Sequence, residues 1–169
     1  MWRFDGSVRP DFAKNPKEGQ QSVWDYPRPP RIEVVDIQVT VLKEGNVLAE
    51  WNRPIRISET ASPPTYYLPF EALDFSYLSM APGSSFCEWK GVATYWELKK
   101  EVGTPVAWGY ENPSPSYLAL KKHIAFYPAK VDCFVAEERV EPQPGGFYGG
   151  WLTSDICGPV KGSPGTEFW

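Results

Sequence analysis

Residues that can carry chemistry concentrate in two stretches. The first is Cys87-Glu88-Trp89-Lys90-Gly91. A cysteine attacks only as its thiolate, so it needs a neighbouring cation or base to draw the proton off. Lys90 stands three residues on, and His123 is the only histidine in the chain, so it is the only imidazole base on offer. Cys87, Lys90 and His123 are the candidate catalytic set. The plainer reading has Cys87 packed beneath Trp89 and His123 flanking the strand it precedes. Lys90 has a further use: at a strand break between Trp89 and Gly91, a lysine can project its charge into an apolar cleft, with Glu59 and Tyr66 as candidate partners.

The second stretch is Pro144-Gly145-Gly146-Phe147-Tyr148-Gly149-Gly150-Trp151. Its glycines permit positive φ and close backbone approach, which presents three aromatics on a tight frame. Two outcomes fit. The stretch is a kinked corner whose rings plug the core, or Phe147, Tyr148 and Trp151 join Trp89, Trp108 or Trp96 as walls of a pocket for a flat or cationic small molecule. The candidate ligand-binding residues are therefore Glu59, Tyr66, Trp89, Trp108, Phe147, Tyr148 and Trp151.

The elements that must position these residues are short. Eighteen prolines in 169 residues nearly exclude long helices, because proline lacks the N–H and clashes with the preceding turn. Alternation predicts a strand over residues 35–42, a turn at Lys43-Glu44-Gly45-Asn46, and a returning strand over 47–51. Further strands are expected over 55–57, 65–68, 86–89, 92–98, 106–110, 124–127 and 131–136, with residues 139–141 pairing back. One or two helical turns are expected over 70–77, and a short helix over 116–122 with Ser116 as N-cap. This spacing argues for a mainly β, antiparallel, sandwich-like or barrel-like domain. The expected organisation is a proline-rich arm over 1–31 lying along the domain to cover Trp24 and Tyr26, a β domain over 32–157, and a Gly/Ser/Pro-rich tail over 158–169.

Five segments together resemble the domain-of-unknown-function 427 family: Ser22-Val23-Trp24-Asp25-Tyr26-Pro27-Arg28-Pro29-Pro30, Glu59-Thr60-Ala61-Ser62-Pro63-Pro64-Thr65-Tyr66-Tyr67, Cys87-Glu88-Trp89-Lys90-Gly91-Val92-Ala93-Thr94-Tyr95-Trp96, His123-Ile124-Ala125-Phe126-Tyr127-Pro128 and the glycine-aromatic stretch from Pro142 to Trp151. They occur in the family's order over roughly residues 22–152. The chain departs from the family's usual proline at Glu88 and histidine at Ser62. The resemblance implies a compact β-tent-type domain of curved sheets packed at an angle. It also brings the label nucleotidyltransferase-like.

The residues give that label little support. Nucleotidyl transfer needs paired carboxylates to hold metal ions against the phosphates, and no acidic-x-acidic triplet occurs. Gly145 to Gly150 has the spacing of a phosphate loop, but Trp151 stands where the lysine belongs. β-tent relatives that hold zinc use paired Cys-x-x-Cys knuckles. This chain has no such pair, and Cys87, Cys133 and His123 fall one short of four ligands, so no metal site is expected. Cys133, alternating with Val131 and Val135, is a small core residue. The sequence names no cofactor.

Composition sets the remaining bounds. A net charge of −4 lacks the basic footprint of a nucleic-acid binder. No apolar run approaches the ~20 residues of a membrane span, and the opening Met1-Trp2-Arg3-Phe4-Asp5-Gly6 has no secretory h-region. Three cysteines, an odd number, do not read as a disulfide framework. The expected protein is cytoplasmic and binds a small molecule through an aromatic-walled pocket. The alternatives are an enzyme of unknown reaction using Cys87, Lys90 and His123, and an interaction module that contacts another protein or forms a homo-oligomer.

Overall fold

The chain runs largely as short strands, and the computed structural model, which describes residues 2–169, builds its two main sheets from eleven of them. In chain order they are β1 (Arg31–Val34), β2 (Val39–Lys43), β3 (Asn46–Trp51), β4 (Ile55–Ser58), β5 (Thr65–Pro69), β6 (Leu78–Cys87), β7 (Gly91–Leu98), β8 (Glu101–Gly109), β9 (His123–Phe126), β10 (Asp132–Val135) and β11 (Glu138–Arg139). The larger sheet has the order β1-β4-β5-β9-β8-β7-β6, and the smaller β11-β10-β2-β3. Every pairing in both is antiparallel. The domain is mainly β and sandwich-like, as its alternation predicts.

The main core lies between the sheets. Val39 and Val41 of β2, Leu48 of β3, Leu68 of β5, Ile124 and Phe126 of β9 and Cys133 of β10 are all buried there. The opposite face of the larger sheet carries a second buried set, with Ile55, Ile57, Tyr67, Ala93, Trp108, Tyr110 and Ala125. The 3₁₀ segment Pro115–Leu120 covers part of it through Tyr117 and Leu120. The strand period of two puts neighbours such as Tyr66 and Tyr67 on different faces.

Some expected elements shift. Residues 35–42 are not one strand. β1 ends in the larger sheet and β2 begins in the smaller, and between them Val35 and Ile37 keep single backbone bonds to Pro54 and Asn52. The alternation is real, but the chain turns a corner between sheets within it. Over 70–77 only one 3₁₀ turn forms, Phe70–Ala72. The helix expected at 116–122 is 3₁₀ and starts one residue earlier, with Ser114 rather than Ser116 at its N-cap, because Pro115 suits the first helical position. β6 runs ten residues where only its last two were anticipated. It is an edge strand, and its register shifts between Ala81 and Ser84. An edge position and a bulge are where a sheet accommodates Pro82.

The two ends of the chain meet over the domain. Val23, Trp24 and Tyr26 are buried with Ala61 and Ile156, and Phe4, Val160 and Trp169 pack against them. Trp24 Nε1 donates to the Pro159 carbonyl at 3.0 Å. Arg28 ties the ends together. It donates to the carbonyls of Phe4 (2.7 Å), Trp169 (3.2 Å) and Thr60 (2.9 Å), and pairs with Glu59 at 3.0 Å.

Candidate functional site

On the second face of the larger sheet, a cleft of about 690 Å³ opens between the strands and the chain ends. Its floor follows from alternation. Ile57 of β4, Thr65 and Tyr67 of β5, Ala93 and Tyr95 of β7, and Trp108 of β8 all point into it. Its roof comes from residues 143–150, with Lys161 from the C-terminal segment and Trp2 from the N-terminal one.

The glycines of the roof have a steric cause. A Cβ on Gly149 would sit 2.2 Å from the Trp108 ring. A Cβ on Gly145, at φ +90°, would sit 2.0 Å from the Gly162 carbonyl oxygen. The backbone therefore lies directly on the indole of Trp108, which also packs against Tyr127 at a centroid separation of 4.4 Å and edge-on to Tyr67 at 6.0 Å. Trp108 Nε1 donates to the Tyr67 hydroxyl at 3.0 Å. Burial pushes the Tyr67 and Tyr110 hydroxyls well above the ordinary tyrosine range, so both walls stay neutral.

The cleft brings together Glu59, Cys87, Trp89, Lys90, Trp108, Phe147 and Tyr148 from among the candidate residues. Phe147 stands at the rim, 78% exposed, edge-on to Tyr148 at 5.0 Å. Cys87 is a free, half-buried thiol.

Tyr66, Trp151 and His123 are placed elsewhere. Tyr66 alternates with Tyr67 and so faces the main core, where its ring meets Trp151 at 5.3 Å. Trp151 is fully buried, and its Nε1 donates to the Phe126 carbonyl at 3.0 Å. The glycine stretch thus takes both forms weighed from its sequence: Phe147 and Tyr148 meet the cleft, and Trp151 plugs the core. His123 sits in a separate depression of about 250 Å³ with Phe70, Met80 and Trp96, its Nδ1 3.0 Å from the Lys121 carbonyl. Cys87 and His123 do not share a site.

Lys161 escaped the sequence reading altogether, being one lysine in a tail of Gly, Ser and Pro. It is 2% exposed. Its backbone N–H donates to the Ala61 carbonyl at 2.8 Å, and its carbonyl accepts from Gln143 Nε2 at 2.8 Å. Its ammonium lies 3.9 Å from the centre of the Trp2 ring and 4.6 Å from that of Tyr148. Burial draws its pKa down to about 8, against the opposing pull of Glu59. Lys90 is also buried, with its ammonium 6.0 Å from the Tyr110 ring. Only the fold brings these lysines to one cleft, and no local motif marks Lys161. Among the described residues, no group of three or more His, Cys, Asp and Glu side chains is arranged to hold a metal ion.

Residues 31–137 match the model of a family described as a domain of unknown function (DUF427). That span is well over half of the 169 residues, so the chain belongs to this family. No curated protein matches it.

Proposed function

We propose that this DUF427 member is a small-molecule-binding protein, and that its ligand occupies the aromatic-walled cleft on the larger sheet. One observation carries the reading. The cleft's volume of about 690 Å³ lies in the range of ~300–1,000 Å³ typical of ligand sites, and its lining combines rings with a few polar groups. Trp89, Trp108 and Tyr148 serve as walls, and Lys90 and Glu59 as polar contacts. The family description brings no reaction with it, and fold alone does not supply one.

A thermal-shift screen against nucleotides, cofactors and common metabolites tests this. A ligand at ~100 times its Kd adds about 2.7 kcal/mol of stability. A hit that Tyr148→Ala or Lys90→Ala abolishes, while each variant keeps its unliganded melting temperature within a few degrees, supports the cleft. A hit that survives both substitutions refutes it.

A second reading keeps Cys87 and Lys90 as reactive groups in the same cleft, since both line it. His123 is not available there as a base, so the thiol would depend on the cleft's lysines. Alkylation of Cys87 no faster than a free thiol at neutral pH rules this reading out.

A further inference from the structure

We infer that the ligand of this cleft is a planar molecule bearing an oxyanion, a carboxylate or a phosphate, and that Lys161 and Lys90 are its cationic contacts. This rests on the reading that the cleft binds a small molecule. It goes further by fixing the ligand's charge.

Three lysines, Lys90, Lys130 and Lys161, line the cleft against two carboxylates, Glu59 and Glu88. The chain as a whole carries −4, so the cleft has the opposite sign to the molecule. Neither carboxylate forms a salt bridge with the buried lysines, although Glu59 and Glu88 both pull on Lys161 through space. Glu59 is paired with Arg28, whose remaining donors go to backbone carbonyls. Glu88 accepts from the Trp2 indole. Among the described residues, neither Lys90 nor Lys161 forms an ion pair.

Burying an ammonium is unfavourable unless a partner compensates, and in proteins that partner is usually an anion. Ring faces supply a part of it here. Trp89, also in the lining, has its indole N–H buried with no acceptor. The cleft thus presents donors without an anionic or carbonyl partner: two lysines that form no ion pair and the buried indole N–H of Trp89. A ligand that accepts hydrogen bonds and carries negative charge completes them. A cation, which the aromatic content alone would also suit, meets two like charges. The flat walls of Trp108, Tyr127 and Tyr148 select a planar body behind the anionic group.

Paired probes, one anionic and one neutral, test the charge. Indole-3-carboxylate is compared with indole-3-carboxamide, and phenyl phosphate with phenol, by ligand-observed NMR and calorimetry on the full chain. The expected result is that at least one anion binds tenfold or more tighter than its neutral partner. Which pair shows the preference separates a carboxylate site from a phosphate site. Lys161→Met should erase the preference, and Lys90→Met should reduce it. On the unaltered protein, affinity for the anion should fall by up to tenfold per pH unit above pH 8, a readout that does not depend on any variant folding. Neutral probes binding as well as the anions overturn the inference while leaving a small-molecule site in place. An anion preference that survives Lys161→Met also overturns it. No binding in either series up to millimolar concentration overturns it too, and the broader reading falls with it only if the metabolite screen is silent as well.

Discussion

Replacing Lys161 by methionine is expected to remove a pH dependence of stability that the wild-type protein shows between pH 8 and pH 10.5. Methionine keeps the apolar body of the side chain and deletes the ammonium. In the folded protein, burial draws the Lys161 pKa from 10.5 down to about 8, while in the unfolded chain it titrates at its ordinary value. Between those values the unfolded state holds the extra proton, so wild-type stability rises with pH. Below pH 8 both states are charged and the whole cost of burial is present. Above pH 10.5 both are neutral and the cost is gone. The gap from 10.5 to 8, at ~1.4 kcal/mol per pH unit, caps that cost at about 3 kcal/mol. Water at the mouth of the cleft screens it to about 1–3 kcal/mol.

The contacts with Trp2 and Tyr148, of order 0.5–2 kcal/mol, are lost in the variant and oppose its gain at neutral pH. The slope is therefore the informative quantity. Urea unfolding of both proteins, at half-unit steps from pH 7 to pH 10.5, should show the wild type gaining about 1–3 kcal/mol on the variant. In melting temperature that is ~2–12 °C for a domain of this size. Groups common to both proteins cancel, including Tyr26 and Tyr117, whose hydroxyls are pushed up to about 12 by burial. Parallel stability curves would refute the placement of Lys161 in a desolvated site.

Three further outcomes follow from the packing. Trp151→Ala should cost about 3–5 kcal/mol, because a fully buried indole leaves a cavity and orphans the Phe126 carbonyl; urea unfolding measures it, and a loss under 1 kcal/mol would contradict the core placement. Arg28→Ala should cost about 2–4 kcal/mol, since its side chain is 3% exposed and holds both chain ends to Glu59 and Thr60; limited proteolysis should then cut first near the termini. In the native protein Cys87 should alkylate well before Cys133, which is buried and whose thiol is pushed up by desolvation, with Cys133 reacting only on unfolding; mass mapping reads the order.

The alternation of residues determined much of the fold without tertiary information. The hairpin of β2 and β3 and the strands β4, β5, β9 and β10 lie where period-two patterning puts them, whereas the return strand β11 forms at Glu138–Arg139, one residue before the expected 139–141, and Glu141 pairs with Leu152 instead. The burial of Cys133 follows the same patterning. These depend on neighbours within a few residues, and side-chain period and turn chemistry are local properties. β6 escaped because Pro82, Gly83, Ser84 and Ser85 read as loop, and only its position at the sheet edge makes them strand.

The candidate site divides along the same line. Local sequence named the rings and the lysine that surround the cleft, Trp89, Lys90, Trp108, Phe147 and Tyr148. It did not separate them from Tyr66 and Trp151, which differ only in the face they take. A strand's pattern fixes which residues share a face, and the sheet that covers a face decides whether it becomes core or cleft. The smaller sheet covers Tyr66, so the cleft falls to Tyr67. Lys161 and Arg28 owe their roles to chain ends that meet across the domain. Sequence distance carries no trace of that meeting, because it is set by the burial of Trp24 against Pro159 and Trp169 and not by any local propensity.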